Sequence, residues 1–148
     1  SIWLFGPAGT GKTHLLQAVC ARAGEAGHSA AYLPLGDLRG LGPEVLGGCG
    51  RLNWVCLDDV ASLAGHAAWE RALFGLYTEL WDHGGRLIVT ASSPPARVAF
   101  QLQDLASRFG GGTVLKLQPL EEGTGWRRCA CMRASGDLSC RTTRRRSC

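Results

Sequence analysis

The sequence predicts an α/β fold in which a parallel five-stranded sheet carries helices on both faces. Short apolar segments alternate along the chain with segments of helical spacing, a pattern typical of strands that crossover helices bury on both faces. The chain has 148 residues, of which 45% are hydrophobic and 19% are charged. That length supports one domain with its own core, and that composition excludes an intrinsically disordered chain.

Five apolar segments are the predicted strands, at residues 1–5, 30–35, 52–57, 86–91 and 113–117. The first stops at Gly6, and Pro34 within the second predicts an edge strand or an early end of that strand. The third runs into Asp58 and Asp59, and the fourth ends just before Ser92. Because each segment is apolar almost throughout rather than alternating with polar residues, we expect strands that are buried on both faces.

Helical spacing of apolar residues predicts three helices, at residues 13–26, 67–82 and 102–109, and a short helical turn near residues 43–46. The rest of the segment 36–50 is rich in glycine and predicts irregular structure. The helix at 67–82 is apolar along two stripes, so we expect it to be packed on more than one side. Trp69 and Trp81 are the predicted core or interface anchors of that helix.

Charge and cysteine content divide the chain near residue 120. Residues 1–120 hold nine Lys/Arg and nine Asp/Glu, whereas residues 121–148 hold seven Arg and three acids and carry the net charge of +4. The neutral first part excludes a strongly basic nucleic-acid-binding domain, and its Cys20, Cys49 and Cys56 are expected to be reduced thiols of a cytoplasmic protein. No apolar run reaches the roughly 18 residues of a membrane span. Since the chain lacks an initiating Met and a signal peptide, and starts inside a predicted strand, we expect a fragment.

The segment between the first strand and the first helix matches the phosphate-binding pattern G-x-x-x-x-G-K-[ST] at every position. Its residues are Gly6, Pro7, Ala8, Gly9, Thr10, Gly11, Lys12 and Thr13. The glycines let consecutive backbone N–H groups point to one place, and the helix that follows adds its positive amino-terminal end. Lys12 is expected to reach the outer phosphates of a nucleotide, and the Thr13 hydroxyl is expected to hold Mg²⁺. This segment therefore predicts a P-loop NTPase fold that binds ATP or ADP with Mg²⁺, the alternative being a glycine-rich turn that matches by chance.

Asp58 and Asp59 directly follow the third predicted strand. An acid at the end of a second core strand is the other half of a nucleotide site of this kind. Asp58 is expected to bind Mg²⁺ directly or through water, and Asp59 to orient or deprotonate the attacking water. The alternative interpretation is a pair of aspartates that caps the turn after the strand.

Four segments, in this order and spacing, resemble the AAA+ domain of the bacterial replication initiator DnaA and its relatives. They are GPAGTGKTHLLQA from Gly6, NWVCLDDVASLAG from Asn53, RLIVTASSPP from Arg86 and QDLASRFGGGTVLKLQPL from Gln103. Within this family the residues at 69–77, and the phrases DLASR and KLQPL, are more similar to the regulatory inactivators of DnaA, the Hda group, than to DnaA itself. The resemblance covers residues 1–122 and implies an AAA+ core.

The resemblance also implies roles for two further residues. Ser92 matches the sensor 1 position, where the family often has Asp or Asn. Arg108 matches the arginine finger, which in an AAA+ assembly enters a neighbour's nucleotide site and stabilises charge on the γ-phosphate. The alternative for Arg108 is a surface arginine that the helix dipole favours near a helix end.

Partners follow from the same resemblance. Inactivators of the Hda group act together with the DNA-loaded sliding clamp and provoke hydrolysis of the ATP that DnaA holds. The implied partners are therefore DnaA and the sliding clamp, with no membrane and no direct sequence-specific binding of DNA. The clamp-binding peptide of the family precedes its first strand and is not present in this sequence.

Residues 121–148 depart from the family, which continues there into a helical lid with a second sensor arginine. We therefore expect the lid to be absent and nucleotide to bind weakly. Back-translation with G+C-rich codons and a shift of one nucleotide gives a helical pattern that resembles the start of this lid, so we expect a frameshift near codons 121–124 and a disordered tail. The alternatives are a nucleic-acid patch at arginines 144–146 and a zinc site of poor spacing at Cys129, Cys131, Cys140 and Cys148.

Three other functions stay open. A fragment of a DnaA initiator or of a helicase loader has the same fold, although an initiator would carry a DNA-binding helix-turn-helix further along the chain. A small P-loop metabolite kinase would need a substrate pocket and an arginine-rich lid. A fold that serves only as a binding surface is disfavoured by the intact Lys12, Thr13 and Asp58.

Overall fold

The computed structural model describes residues 1–119 of the chain. The predictions made for the tail, which are the absent lid, the frameshift, the zinc cysteines and the arginines at 144–146, lie outside the described residues.

The described residues form a parallel five-stranded sheet, as the apolar segments predict. The strands are β1 (Ile2–Phe5), β2 (Ala30–Pro34), β3 (Trp54–Asp58), β4 (Arg86–Ala91) and β5 (Thr113–Lys116). Their order across the sheet is β2-β3-β4-β1-β5, and every neighbouring pair is parallel. Pro34 is the last residue of edge strand β2, where a missing N–H removes no bond from the interior of the sheet.

Four α-helices connect the strands: α1 (Lys12–Glu25), α2 (Leu35–Leu38), α3 (Ala67–Asp82) and α4 (Gln103–Gly110). Shorter 3₁₀ turns lie at Pro43–Leu46, Cys49–Arg51, Val60–Leu63 and Pro95–Arg97. The predicted turn at 43–46 is confirmed, whereas the third strand begins at Trp54 and not at residue 52. Leu52 follows a 3₁₀ turn whose last residue is Arg51, so the chain reaches the sheet two residues later than apolarity alone indicates.

The sheet is covered on both faces at β1, β3 and β4, whereas all four residues of edge strand β5 are exposed, contrary to the expectation that every strand is buried on both faces. On one face Leu16 of α1 packs against alternate strand residues, namely Leu4, Cys56 and Ile88. On the other face the intervening strand residues pack against α3 and α4, in a larger cluster that contains Trp3, Val55, Leu57, Leu87, Val89, Leu73, Leu76, Leu105 and Phe109. The pleat sends successive side chains to opposite faces, and this alternation places α1 and the pair α3 and α4 on opposite sides of the sheet.

Helix α3 is packed on several sides, against the sheet, against α4 and against the 3₁₀ turns between β2 and β3. Trp69 is buried, as expected of a core anchor, but Trp81 is 68% exposed and is not part of the core. The Trp81 ring stacks on the ring of Tyr77, with centroids 6.4 Å apart. No helix among residues 1–119 combines the length and the apolar character that crossing a bilayer requires.

Candidate nucleotide-binding site

The phosphate loop lies where β1 leaves the sheet and α1 begins. Gly9 and Gly11 have φ angles of 82° and 80°, a conformation that glycine adopts without steric cost. Gly6 is required for a different reason, because a Cβ at this position would lie 2.5 Å from the carbonyl oxygen of Leu117. The path of the loop therefore requires glycine at positions 6, 9 and 11.

Lys12 folds back over the phosphate loop. Its Nζ donates hydrogen bonds to the carbonyl oxygens of Gly6 at 2.7 Å and Pro7 at 2.9 Å. The first turn of α1 holds no acidic residue, and within the described part of the chain no side chain caps its first N–H groups. An ammonium group and unused helix N–H groups at one place form an anion site that fits the phosphates of a nucleotide.

Asp58 is the centre of the polar network beside this loop. It ends β3, is 9% exposed, and accepts hydrogen bonds at both carboxylate oxygens. Oδ2 accepts from Thr13 Oγ1 at 2.6 Å and from the Tyr32 hydroxyl at 2.8 Å, and Oδ1 accepts from Thr90 Oγ1 at 2.5 Å. These donors come from α1, β2 and β4, so three separate elements fix the orientation of one carboxylate.

The network holds Asp58 in its charged form. Burial by itself would raise the pKa of Asp58, but the hydrogen bonds from Thr13, Thr90 and Tyr32 and the charge of Lys12 outweigh burial and lower this pKa. Burial and the hydrogen bond to Asp58 raise the pKa of Tyr32 to about 12, so the phenol stays a proton donor at neutral pH.

The donor set at this point fits a magnesium ion. The Thr13 hydroxyl and the Asp58 carboxylate present two hard oxygen donors side by side, which is the chemistry that Mg²⁺ prefers. Among residues 1–119 no group of three or more His, Cys, Asp and Glu side chains is arranged to hold a metal ion. A cation held here would therefore complete its shell with water and with phosphate oxygens.

Asp59 and Ser92 lie close to this network along the chain. Asp59 has φ 56° and ψ 54°, the one positive φ outside glycine among the described residues, and its backbone N–H donates to Thr90 Oγ1 at 3.0 Å. This conformation turns the chain sharply after β3, but the Asp59 side chain makes no capping hydrogen bond to the 3₁₀ turn at Val60–Leu63. Ser92 is exposed at the first position after β4.

Arg108 lies apart from the phosphate loop. It is exposed in the last turn of α4, and its guanidinium carbon lies 5.7 Å and 5.8 Å from the ring centroids of Phe74 and Tyr77 in α3. Helix α4 leads into β5, whose first residue Thr113 donates to the carbonyl of Ser1 at the amino end of β1. The phosphate loop follows the carboxyl end of β1, so Arg108 and this loop lie toward opposite ends of the sheet.

The structure adds two residues that the sequence analysis missed, Tyr32 and Thr90. Both are polar side chains within otherwise apolar strands, the segments AAYLP and RLIVTA. A polar residue within an apolar strand was the signal that could have identified them, because a buried hydroxyl needs a hydrogen-bond partner. The identity of that partner depends on strand order, which the sequence pattern left open.

Comparison with known proteins finds similarity at the level of solved structures, and no protein-family model matches the chain. AMPPCP-bound DnaA from Aquifex aeolicus superposes with a TM-score of 0.74 at 24% identity, over 93% of this chain and 46% of that chain. Domain III of Thermotoga maritima DnaA gives a TM-score of 0.67 at 27% identity, over 82% and 55% of the two chains. The DnaC helicase loader gives 0.54 at 21% identity, over 79% and 77%. This chain thus spans less than half the length of the Aquifex aeolicus chain, and its described residues have the fold of a DnaA-like AAA+ core.

Proposed function

We propose that this chain, whose described residues have the DnaA-like AAA+ fold, is an ATP- or ADP-binding regulator of replication initiation that stimulates hydrolysis of DnaA-bound ATP. Arg108 would supply the arginine finger, and the DNA-loaded sliding clamp would be the second partner. The observation that carries the proposal is the placement of Arg108 and the phosphate loop toward opposite ends of one sheet. An arginine at the end of the sheet opposite the phosphate loop would contact the phosphates of a nucleotide bound to another molecule.

Nucleotide binding is supported by the geometry of the loop. Lys12 and the open amino-terminal end of α1 meet at one anion site. The Thr13 hydroxyl donates to Asp58 Oδ2 at 2.6 Å. The similar Aquifex aeolicus DnaA is described with AMPPCP bound, which supports an adenine nucleotide at this site. Thr13 and Asp58 would hold Mg²⁺, whose chemistry here is to neutralise charge on the phosphates.

Asp59 and Ser92 belong to the proposed machinery by their positions next to Asp58 and after β4. Asp59 would orient or deprotonate water at the chain's own nucleotide. Ser92 would hydrogen-bond a phosphate or a water as the sensor 1 residue, more weakly than Asp or Asn, because its single short hydroxyl makes fewer hydrogen bonds than a carboxylate or an amide. A weak sensor 1 residue supports a regulator that acts through a partner's nucleotide site rather than through rapid turnover of its own nucleotide.

The surroundings of Arg108 support the finger. Among residues 1–119 the one ion pair joins Arg22 to Glu25, so the Arg108 guanidinium has no carboxylate partner there. It rests instead over the rings of Phe74 and Tyr77, which hold it by cation–π attraction, and its guanidinium makes no hydrogen bond to any other residue of the described range 1–119. A planar guanidinium with free donors suits the bidentate recognition of a phosphate.

The test is a reconstitution with DnaA and the sliding clamp of the same bacterium. The full chain, loaded with ADP and Mg²⁺, is added to DnaA that holds radiolabelled ATP, with and without the clamp loaded on DNA, and the ADP formed is followed in time. We expect the chain to accelerate hydrolysis, and Arg108→Ala and Arg108→Lys each to lower the stimulated rate by about 10³-fold or more, the usual value of an arginine finger.

Arg22→Ala is the matched control, because Arg22 is also an exposed arginine and lies on α1, on the other face of the sheet. It should keep full stimulation. No acceleration by the wild-type chain, or equal loss in the Arg22 and Arg108 variants, would contradict the proposal.

A fragment of an initiator or of a helicase loader is the second candidate. This candidate is kept because the fold of the described residues is shared with DnaA, at a TM-score of 0.74, and with the DnaC helicase loader, at a TM-score of 0.54. A loader would bind the replicative helicase of its own bacterium, and co-elution on size-exclusion chromatography measures this. Binding to the helicase without any effect on DnaA-bound ATP would favour the loader over the regulator.

A further inference from the structure

We propose that Tyr32 is a positioning residue of the nucleotide site, which holds the Asp58 carboxylate in the orientation that a magnesium–nucleotide complex requires. This inference rests on the proposed nucleotide binding. It assigns a role to a residue of edge strand β2, which no phosphate-loop motif includes.

The sheet register explains how a residue of β2 reaches Asp58. Tyr32 pairs with Cys56, and Asp58 lies two residues further along β3, so both side chains lie on the same face as diagonal neighbours. Diagonal neighbours in a sheet are within reach of an aromatic side chain. The Tyr32 hydroxyl accordingly donates to Asp58 Oδ2 at 2.8 Å.

The two donors at Oδ2 differ in how firmly they are held. Thr13 lies at the start of α1, and its hydroxyl is the group that would turn toward a cation. Tyr32 packs its ring against the cluster of Leu4, Leu16, Cys56 and Ile88 beneath α1. Once the Thr13 hydroxyl is engaged elsewhere, Tyr32 is the remaining described donor at Oδ2, while Thr90 continues to hold Oδ1.

A purely structural role for Tyr32 makes a different prediction. If the hydroxyl only stabilised the fold, its removal would weaken nucleotide binding equally with and without Mg²⁺. If it positions Asp58, its removal weakens the gain that Mg²⁺ brings and leaves binding without metal unchanged. The ratio of the two affinities therefore separates the two roles.

The experiment measures the dissociation constant of AMPPCP for the full chain by NMR chemical-shift titration, in Mg²⁺ and in EDTA. Tyr32→Phe removes the hydroxyl and keeps the ring. We expect Mg²⁺ to strengthen binding to the wild-type chain and this gain to fall by about threefold to tenfold in Tyr32→Phe, as for the net loss of one typical hydrogen bond. Binding in EDTA should stay within about twofold of wild type, because the phosphate contacts of Lys12 and the loop backbone are untouched.

Ser29→Ala is the matched control, because it removes a hydroxyl that bonds Asn53 at the other end of the same strand pair. It should leave the gain from Mg²⁺ unchanged. An unchanged gain in Tyr32→Phe, or an equal loss of affinity with and without Mg²⁺, would overturn the inference. Failure of the wild-type chain to bind AMPPCP at all would instead overturn the proposed nucleotide binding, and the inference with it.

Discussion

The Thr90 hydroxyl donates a 2.5 Å hydrogen bond to Asp58 Oδ1 and accepts one of 3.0 Å from the backbone N–H of Asp59. Thr90 is fully buried in β4, the strand between those that carry the phosphate loop and Asp58. One hydroxyl thus links β4, the strand that leads to Ser92, with both Asp58 and Asp59. A change at Thr90 should therefore affect the stability of the sheet and the orientation of Asp58 together.

We expect Thr90→Val to lower the free energy of unfolding by about 2–3 kcal/mol, since it leaves a buried carboxylate oxygen without this partner and also removes the part-buried hydrogen bond from the Asp59 N–H. Urea unfolding followed by circular dichroism measures the change. Thr90→Ser keeps the hydroxyl and should cost about 1 kcal/mol for the lost methyl group. A smaller cost for Thr90→Val, which keeps the methyl group, than for Thr90→Ser, which keeps the hydroxyl, would show that the methyl group and not the hydrogen bonds stabilises this position.

Lys12→Ala should weaken AMPPCP binding by about 30-fold to 100-fold, because a charge-assisted contact to phosphate is lost. Chemical-shift titration of the full chain, which reads weak dissociation constants, measures the effect in the presence of Mg²⁺. Arg22→Ala removes one positive charge from the same helix and should bind as the wild-type chain does. An affinity of Lys12→Ala equal to that of Arg22→Ala would mean that the loop does not bind phosphate through Lys12.

Asp58 should make the stability of the fold depend on pH in the acid range. Its pKa is lowered in the folded chain, so its contribution is fully present above the ordinary pKa of an aspartate, about 3.9, and is lost as the pH falls through the lowered value. We expect the difference in unfolding free energy between the wild-type chain and Asp58→Asn to shrink as the pH falls from 6 toward 3.

Urea unfolding at each pH measures this difference, and Asp82→Asn, at an exposed position at the end of α3, is the control that should show no such trend. A constant difference between the wild-type chain and Asp58→Asn across the range would contradict the prediction.

Glu70 is fully buried, and its carboxylate accepts three backbone N–H groups, from Gly65, Gln101 and Leu102, at 2.8, 3.1 and 2.8 Å. This joins the start of α3 to the segment that enters α4, the helix of Arg108. Glu70→Gln replaces one accepting oxygen with a donor and should lower the free energy of unfolding by about 2–4 kcal/mol.

Thermal and urea unfolding of Glu70→Gln measure that loss. Glu25→Gln, at an exposed position of α1, should change stability by less than about 0.5 kcal/mol. A loss as small in Glu70→Gln as in Glu25→Gln would show that other groups hold the start of α4.

Much of the fold was predictable because the signals were local. Continuous apolar segments gave the five strands, and Pro34 indicated the edge position of β2 correctly. The exposure of the Trp81 side chain was not predictable, because its spacing in α3 resembles that of a buried residue. Its exposure depends on where its part of the helix lies relative to neighbouring elements, and no local pattern contains that information.

Local sequence patterns were sufficient to predict the parallel α/β class, the phosphate loop and the position of Asp58 after a core strand, because glycine conformations, helix spacing and strand apolarity are encoded within a few consecutive residues. Tertiary structure alone decided that β4 lies between the strands of the loop and of Asp58, that Thr90 and Tyr32 converge on that carboxylate, and that Arg108 lies toward the other end of the sheet. These relationships join residues that are 26 to 32 positions apart in the case of Asp58. They follow from strand order and register, which the whole core selects by packing and which no single segment specifies.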